Sequence, residues 1–206
     1  MFTGIVECIG TINEIEKNGT NTSFWISSPI SNTLKVDQSV SHNGVCLTIE
    51  EVKENNHRVT AIAETLQKTN LGRLAIGNTI NIERCMLMNG RIDGHLVQGH
   101  VDCTAFCTEV KNLNGSWEFS FQFPFEFAPL IIEKGSICIN GISLTCFAVT
   151  ENSFKVAIIP YTYTHTNMGT ISVNTEVNLE FDILGKYILR MNNLKNKLDS
   201  INITAL

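Results

Sequence analysis

Apolar and polar residues alternate only in short runs along this chain. Residues 36–40, 46–52, 59–63 and 79–83 are rich in β-branched side chains and alternate in part, which predicts short strands with one buried face. Asn43-Gly44 and Asn140-Gly141 lie beside such runs. Both residue types accept left-handed backbone angles, so each pair predicts a tight turn between strands. Asn18-Gly19, Asn55-Asn56 and Asn114-Gly115 are further turn candidates. The pattern changes near the end of the chain. Leu184, Tyr187, Met191, Leu194, Leu198 and Ile201 are spaced 3, 4, 3, 4 and 3 apart, which is one apolar stripe on a helix. That helix either packs on its own domain or drives self-association. A stripe so narrow suits a helix bundle better than a barrel surface.

The chain also repeats itself. Residues 39–48 align with residues 136–145; five of the ten positions are identical and two more exchange Val for Ile. The same offset of 97 aligns Glu64-Thr65 and Thr69-Asn70-Leu71-Gly72 with Tyr161-Thr162 and Thr166-Asn167-Met168-Gly169, and Asn81-Ile-Glu83 with Asn178-Leu-Glu180. With a small indel, Gly4-Ile5-Val6-Glu7-Cys8 aligns with Gly99-His100-Val101-Asp102-Cys103. The expected organisation is two homologous domains, 1–94 and 95–186, and a helical tail, 187–206. About six strands in roughly 90 residues predict a small closed Greek-key barrel in each domain, since closure removes exposed edges. The Thr69–Gly72 stretch and its twin predict one helical turn closed by Gly.

Composition narrows the chemistry. The formal net charge is −5 over 206 residues, which argues against a general nucleic-acid binder. The N-terminus has no basic and apolar signal regions, and no apolar run approaches a membrane span. Seven cysteines, an odd number without scaffold spacing, fit free thiols in a reducing cytoplasm. His95, His100, Cys103 and Cys107 invite a zinc site. If that segment is a strand, the two histidines point oppositely and the two cysteines lie roughly 13 Å apart at about 3.3 Å per residue, so neither pair chelates. No nucleophile elbow, dinucleotide fingerprint or phosphate loop is present. What remains is polar residues matched between the halves: Thr48 with Thr145, Cys46 with Ser143, and Thr65 with Thr162. Hydroxyls inside a barrel need partners, either nearby backbone or a ligand held in each domain.

Several of these segments together resemble one family. The opening heptapeptide 1–7, residues 42–48, Glu64-Thr65 with 69–72, Gly94-His-Leu-Val-Gln-Gly-His-Val101 and 140–145 closely resemble the riboflavin synthase family, over nearly the whole chain. The resemblance implies an all-β fold of two homologous six-stranded Greek-key barrels with a C-terminal α-helix. It implies a cytoplasmic homotrimer held by those helices, and a candidate association with lumazine synthase. It implies a cofactor-free, metal-free transferase that dismutates two molecules of 6,7-dimethyl-8-ribityllumazine, with one pocket per barrel. Carried over residue by residue, the first pocket comprises Gly4, Ile5, Val6, Ser39, Cys46, Leu47, Thr48, Thr60, Ala61, Ile62, Ala63, Glu64 and Thr65. The second comprises Gly99, His100, Val101, Lys134, Ser143, Leu144, Thr145, Ile159, Pro160, Tyr161, Thr162, Tyr163 and Thr164. The catalytic set implied is Cys46, His100, Ser143 and Asp182. Two positions depart: Tyr161 stands where the first repeat has Glu64 and many relatives have an acid, and Asn140 where some have Asp. A non-catalytic lumazine-carrying antenna protein, a flavin-dependent reductase and an oligonucleotide-binding barrel are the rival readings. The chain lacks the α/β nicotinamide unit of the second and the basic, aromatic face of the third.

Overall fold

The protein is described by a computed structural model covering residues 1–203, with side chains as far as Asp199. Strands β1 (Cys8–Asn18), β2 (Asn21–Ser27), β3 (Ser39–His42), β4 (Val45–Lys53), β5 (Asn56–Ala61) and β6 (Thr79–Arg84) close into a barrel in the order β1-β2-β5-β4-β3-β6. Strands β7 (Cys103–Asn112), β8 (Trp117–Gln122), β9 (Ser136–Ile139), β10 (Ile142–Phe147), β11 (Ser153–Ile158) and β12 (Glu176–Phe181) close a second barrel in the corresponding order. Every pairing is antiparallel. Bulges in β1, β4 and β7 bend the longest strands around the small barrels.

Some predicted boundaries move for local reasons. The run at 36–40 becomes strand only from Ser39, because Asp37 adopts a left-handed angle, φ 69°. The run at 59–63 ends at Ala61, and Ala63–Lys68 forms a short helix, α1. The single turn expected at 69–72 is therefore the 3-10 continuation of α1, spanning Asn70–Arg73 with Gly72 inside it. In the second half α2 (Pro160–His165) and the 3-10 turn Asn167–Thr170 repeat this arrangement. At the 55–56 turn the left-handed residue is Glu54, φ 52°.

Both lumens are filled. The first is packed with residues such as Ile12, Phe24, Val40, Ile49, Val59 and Ile82. The second holds Phe119, Phe121, Phe154 and Phe181 with Ile137, Val156 and Leu179. One polar exception sits in the first barrel. His42 and His57 are fully buried and joined Nε2 to Nε2 at 2.9 Å, with Ser31 on His57 Nδ1 and the Val40 carbonyl on His42 Nδ1. The equivalent positions of the second barrel are Ile139 and Phe154.

The two barrels are related by an approximate two-fold axis, along which residues meet their own repeat equivalents. Phe2 pairs with Val97 through both backbone hydrogen bonds, 2.7 and 3.1 Å. The Asn-Gly turns abut back to back, all four residues at positive φ. Around them six asparagines form a buried amide network. Asn81 donates to the Asn140 carbonyl and to Asn167 Oδ1, and Asn178 donates to the Asn43 carbonyl. Asn70 and Asn167 lock in through their backbone N–H groups, which donate to Asn178 and Asn81. Asn140, one of the two family departures, thus sits in the network that joins the barrels.

Helix α3 (Ile183–Ile203) follows β12 directly. Its first turn touches the 3-10 turn Phe125–Leu130, and beyond that Tyr187, Met191, Leu194 and Leu198 are exposed. Ile201, the last member of the expected stripe, lies outside the described side chains. Among the described residues no helix is long and apolar enough to cross a membrane.

Candidate active site

The residues that run up to each barrel do not stay with that barrel. Gly4, ahead of β1, accepts a hydrogen bond at its carbonyl from the Ser143 N–H of β10, 2.8 Å. Gly99, ahead of β7, accepts one from the Cys46 N–H of β4, also 2.8 Å. Val6 packs on the second barrel's core and Val101 on the first's. The two sets are therefore regrouped by the fold. Cys46 of the first barrel meets Gly99, beside His100. Ser143 of the second meets Gly4. Both glycines have positive φ, and a β-carbon on either would lie 2.6 Å from the β-carbon of the opposed Cys46 or Ser143. Only glycine permits this approach.

The matched polar residues lie on the outer walls of the barrels, which corrects the expectation that they point inward. Along β4, Val45, Leu47 and Ile49 are buried in the lumen while Thr48 is exposed and Cys46 half-buried. Along β10, Thr145 is exposed and Ser143 half-buried. Alternation along a strand fixes this: apolar residues claim the lumen and the others face out.

Each wall carries a distinct set of titratable groups. Burial pushes the Cys46 thiol above its ordinary range, with Ser39 opposing through a hydrogen bond, so Cys46 is a neutral thiol at pH 7. On the second wall, Ser143 Oγ lies 2.7 Å from His95 Nδ1. Burial lowers the His95 pKa, with Asp182 opposing, so this imidazole is neutral at pH 7. His95 lies outside the aligned stretch of the repeat. The sequence marks it as a member of the Gly94–Val101 segment and of the rejected zinc cluster, without a role of its own. Asp182 also accepts the Leu184 N–H at the start of α3. His100 is exposed, and its backbone N–H donates to Glu180.

The segments flanking the walls differ between the halves. In the first, Thr60 bonds Ser23 and Glu50, Ala61 is buried, and Ile62 is exposed ahead of α1. Glu64 and Lys68 form an ion pair of 2.7 Å one turn apart on α1, and Ala63 and Thr65 on either side of Glu64 are half-buried. In the second, Ile159 and Pro160 are exposed, and Tyr161 stacks on His165 with ring centroids 4.0 Å apart in place of that ion pair. Thr164 bonds the His165 ring, Thr162 accepts from Thr166 at its carbonyl, and Tyr163 stacks on Trp117. Leu144 packs on the core, and Lys134 lies over the Phe147 ring. Two open hollows lie at equivalent barrel edges. One, of about 410 Å³, takes in Ile5, Gln38 and Glu83. The other, of about 570 Å³, takes in Lys134, Ser136 and Asp182.

A family model for the lumazine binding domain matches the chain twice, over residues 3–85 and 98–182. The riboflavin synthase of Actinobacillus pleuropneumoniae is 40% identical over 91% of this chain and 88% of its own length. Those of Bacillus subtilis and Mycobacterium tuberculosis are 36% and 37% identical, over 92% and 93% of this chain and 89% and 98% of their own lengths. The chain belongs to the riboflavin synthase family. Crystal structures of LumP complexed with riboflavin and with 6,7-dimethyl-8-(1'-D-ribityl) lumazine share the fold, with TM-scores of 0.83 and 0.80. They cover 88% of this chain and 99% of theirs, at 22% and 21% identity.

As a riboflavin synthase relative, the chain shows groups that motif reading passed over. Among the described residues no group of three or more His, Cys, Asp or Glu side chains is placed to hold a metal ion. The segment carrying His95 and His100 is not strand, since β7 begins at Cys103, and Cys103 and Cys107 face the second core. The buried carboxylates Glu83 and Glu180 were visible only as the repeated Asn-x-Glu, without a role. Their one signal was an acid recurring at the end of an otherwise apolar strand.

Proposed function

We infer that this protein is a riboflavin synthase. It moves a four-carbon unit between two molecules of 6,7-dimethyl-8-ribityllumazine, giving riboflavin and 5-amino-6-(ribitylamino)uracil, the last step of riboflavin biosynthesis. Atoms and electrons balance between the two substrate molecules, and each ring is its own electron sink, since the carbanion formed at its C7 methyl delocalises into it. The observation that carries the reading is the pair of outward walls, Cys46-Leu47-Thr48 and Ser143-Leu144-Thr145, each met by a glycine from the opposite repeat. A reaction between two copies of one molecule calls for two homologous sites, and the repeat supplies them.

In this reading each barrel is one lumazine-binding domain. Gly4 and Gly99 let a flat ring lie against backbone, and the walls hold two rings face to face, a proximity effect worth several kcal/mol. Cys46, as a neutral thiol, donates to or shields the acceptor carbon. Neutral His95 and Ser143 form a pair able to relay a proton on the other wall, and His100 stands free to exchange one. Asp182 orients His95. The walls of one chain face outward, so donor and acceptor meet where the first barrel of one copy faces the second of another, in a homotrimer assembled through α3. The protein works in the cytoplasm, which suits its free thiols.

The test is incubation of the purified protein with the lumazine alone, following riboflavin by absorbance. One riboflavin formed per two lumazines consumed is expected. Tight binding without turnover makes the protein a carrier, and neither binding nor turnover overturns the assignment.

A further inference from the structure

Glu83 and Glu180 occupy equivalent places at the ends of β6 and β12, and both are almost wholly buried. Glu180 accepts from the backbone N–H groups of Gln98 at 2.6 Å, Gly99 at 2.9 Å and His100 at 3.0 Å. Glu83 accepts from Thr3 N at 2.7 Å, Thr3 Oγ1 at 2.7 Å and Gly4 N at 3.0 Å. The crossed segments are irregular, so these donors have no ladder partner, and a carboxylate can satisfy three where a neutral amide cannot. The held residues are not arbitrary. Gly99 passes the restraint through its carbonyl to the Cys46 N–H, and Gly4 passes it to the Ser143 N–H, each at 2.8 Å. His100 is held directly.

We propose that Glu180 and Glu83 are positioning residues: Glu180 fixes His100 and the Cys46 wall, and Glu83 fixes the Ser143 wall. The proposal rests on the riboflavin synthase reading for its kinetic consequence, but its geometry does not. A group held by three charge-assisted hydrogen bonds keeps the wall rigid against thermal motion, so the reacting groups stay within productive distance. Replacing the carboxylate by an amide sets an NH2 against an N–H donor. The local chain must then move, while the core beneath β12 remains.

The test compares Glu180→Gln and Glu83→Gln in the full-length protein, with Glu180→Asp as the milder variant should the first not fold. Alkylation of Cys46 by iodoacetamide, followed peptide by peptide with Cys8 as internal reference, reads the first wall without any substrate. Glu180→Gln is expected to speed Cys46 alkylation about tenfold and to lower kcat at least about tenfold with KM within about threefold. Glu83→Gln is expected to lower kcat while leaving Cys46 alkylation within about twofold of the parent. Glu180→Asp should fall between. Equal Cys46 reactivity in all variants, with only a lower melting temperature, overturns the proposal; so does an equal rise in both Gln variants. If the parent makes no riboflavin, the functional reading fails, and the alkylation comparison still decides the positioning role.

Discussion

Gly44 and Gly141 meet across the approximate two-fold axis so closely that a β-carbon on either would lie 2.8 Å from the other's amide nitrogen. Both have positive φ, 78° and 80°. The contact is backbone to backbone, so neither turn can yield without moving its barrel. Gly44→Ala or Gly141→Ala is expected to cost about 2–4 kcal/mol, combining left-handed strain with the clash. Gly19 is the control, with φ 61° and nothing near its missing β-carbon. Gly19→Ala should cost only about 1 kcal/mol. Denaturant unfolding of the three variants checks this. Equal losses would mean that the axis contact contributes nothing beyond turn strain.

The His42–His57 pair makes the first barrel sensitive to acid. Burial lowers both pKa values, His42 well below its ordinary range and His57 to about 4. Between the unfolded value of 6.5 and about 4, the unfolded chain binds protons that the folded chain refuses. Stability is therefore full above pH 6.5 and is lost as pH falls toward 4, by roughly 3 kcal/mol for the His57 shift. Melting should show this slope in the parent. The double variant His42→Ile/His57→Phe, which installs the second barrel's residues, should flatten it. An unchanged slope would place the acid sensitivity elsewhere.

The barrels could be read in the sequence because repetition, β-branched runs and Asn-Gly turns all pointed to one architecture. The orientation of the site could not. Cys46-Leu47-Thr48 looks the same whether its apolar member or its polar members face the lumen, and burial of Leu47 decides that only once the barrel is closed. The crossing was hidden for another reason. Repeat alignment places Gly4 with the first domain and Gly99 with the second, and alignment carries no information about which barrel a segment lies against. Glu83 and Glu180 aligned correctly, yet their function depends on that crossing.

Cys46 and Cys138 separate site from core. Cys46 is half-buried on the wall, and Cys138 is fully buried in the small cluster with Phe2 and Val97. Cys46→Ser is expected to lower turnover by at least about tenfold and stability by less than about 1 kcal/mol. Cys138→Ser should reverse the order, losing about 1–3 kcal/mol by placing a hydroxyl in an apolar pocket while folded protein keeps its rate. A Cys46→Ser variant that melts lower yet turns over normally would reduce Cys46 to packing.

Tyr161 sets the two repeats apart. Glu64 offers a carboxylate beside the first wall, and the stacked Tyr161–His165 pair stands in its place beside the second. A polyhydroxylated ribityl chain gains from a carboxylate acceptor, about 1–2 kcal/mol per hydrogen bond. Tyr161→Glu is therefore expected to tighten the second site several-fold, read as a lower KM with kcat within about twofold. Because Tyr161 is 68% exposed, stability should move by less than about 0.5 kcal/mol. A KM equal to the parent's would show that the ribityl chain does not reach this helix.

Among the described residues nothing covers the apolar face of α3. Tyr187, Met191, Leu194 and Leu198 recur along one side, and each is exposed between 44% and 68%. Aligned apolar residues at this spacing bury their area against like helices. On the proposed trimer, Met191→Glu/Leu194→Glu is therefore expected to leave monomers in sedimentation where the parent runs as a trimer, because like charges would face one another around the bundle axis. The barrels should keep their far-ultraviolet spectrum, since both cores are built chiefly from strand residues and neither substituted side chain belongs to them. Riboflavin formation should fall with the trimer if each site joins barrels of two copies. Activity that survives in the monomer would instead place both lumazines on a single chain, on the two walls that the crossed segments bring to its axis.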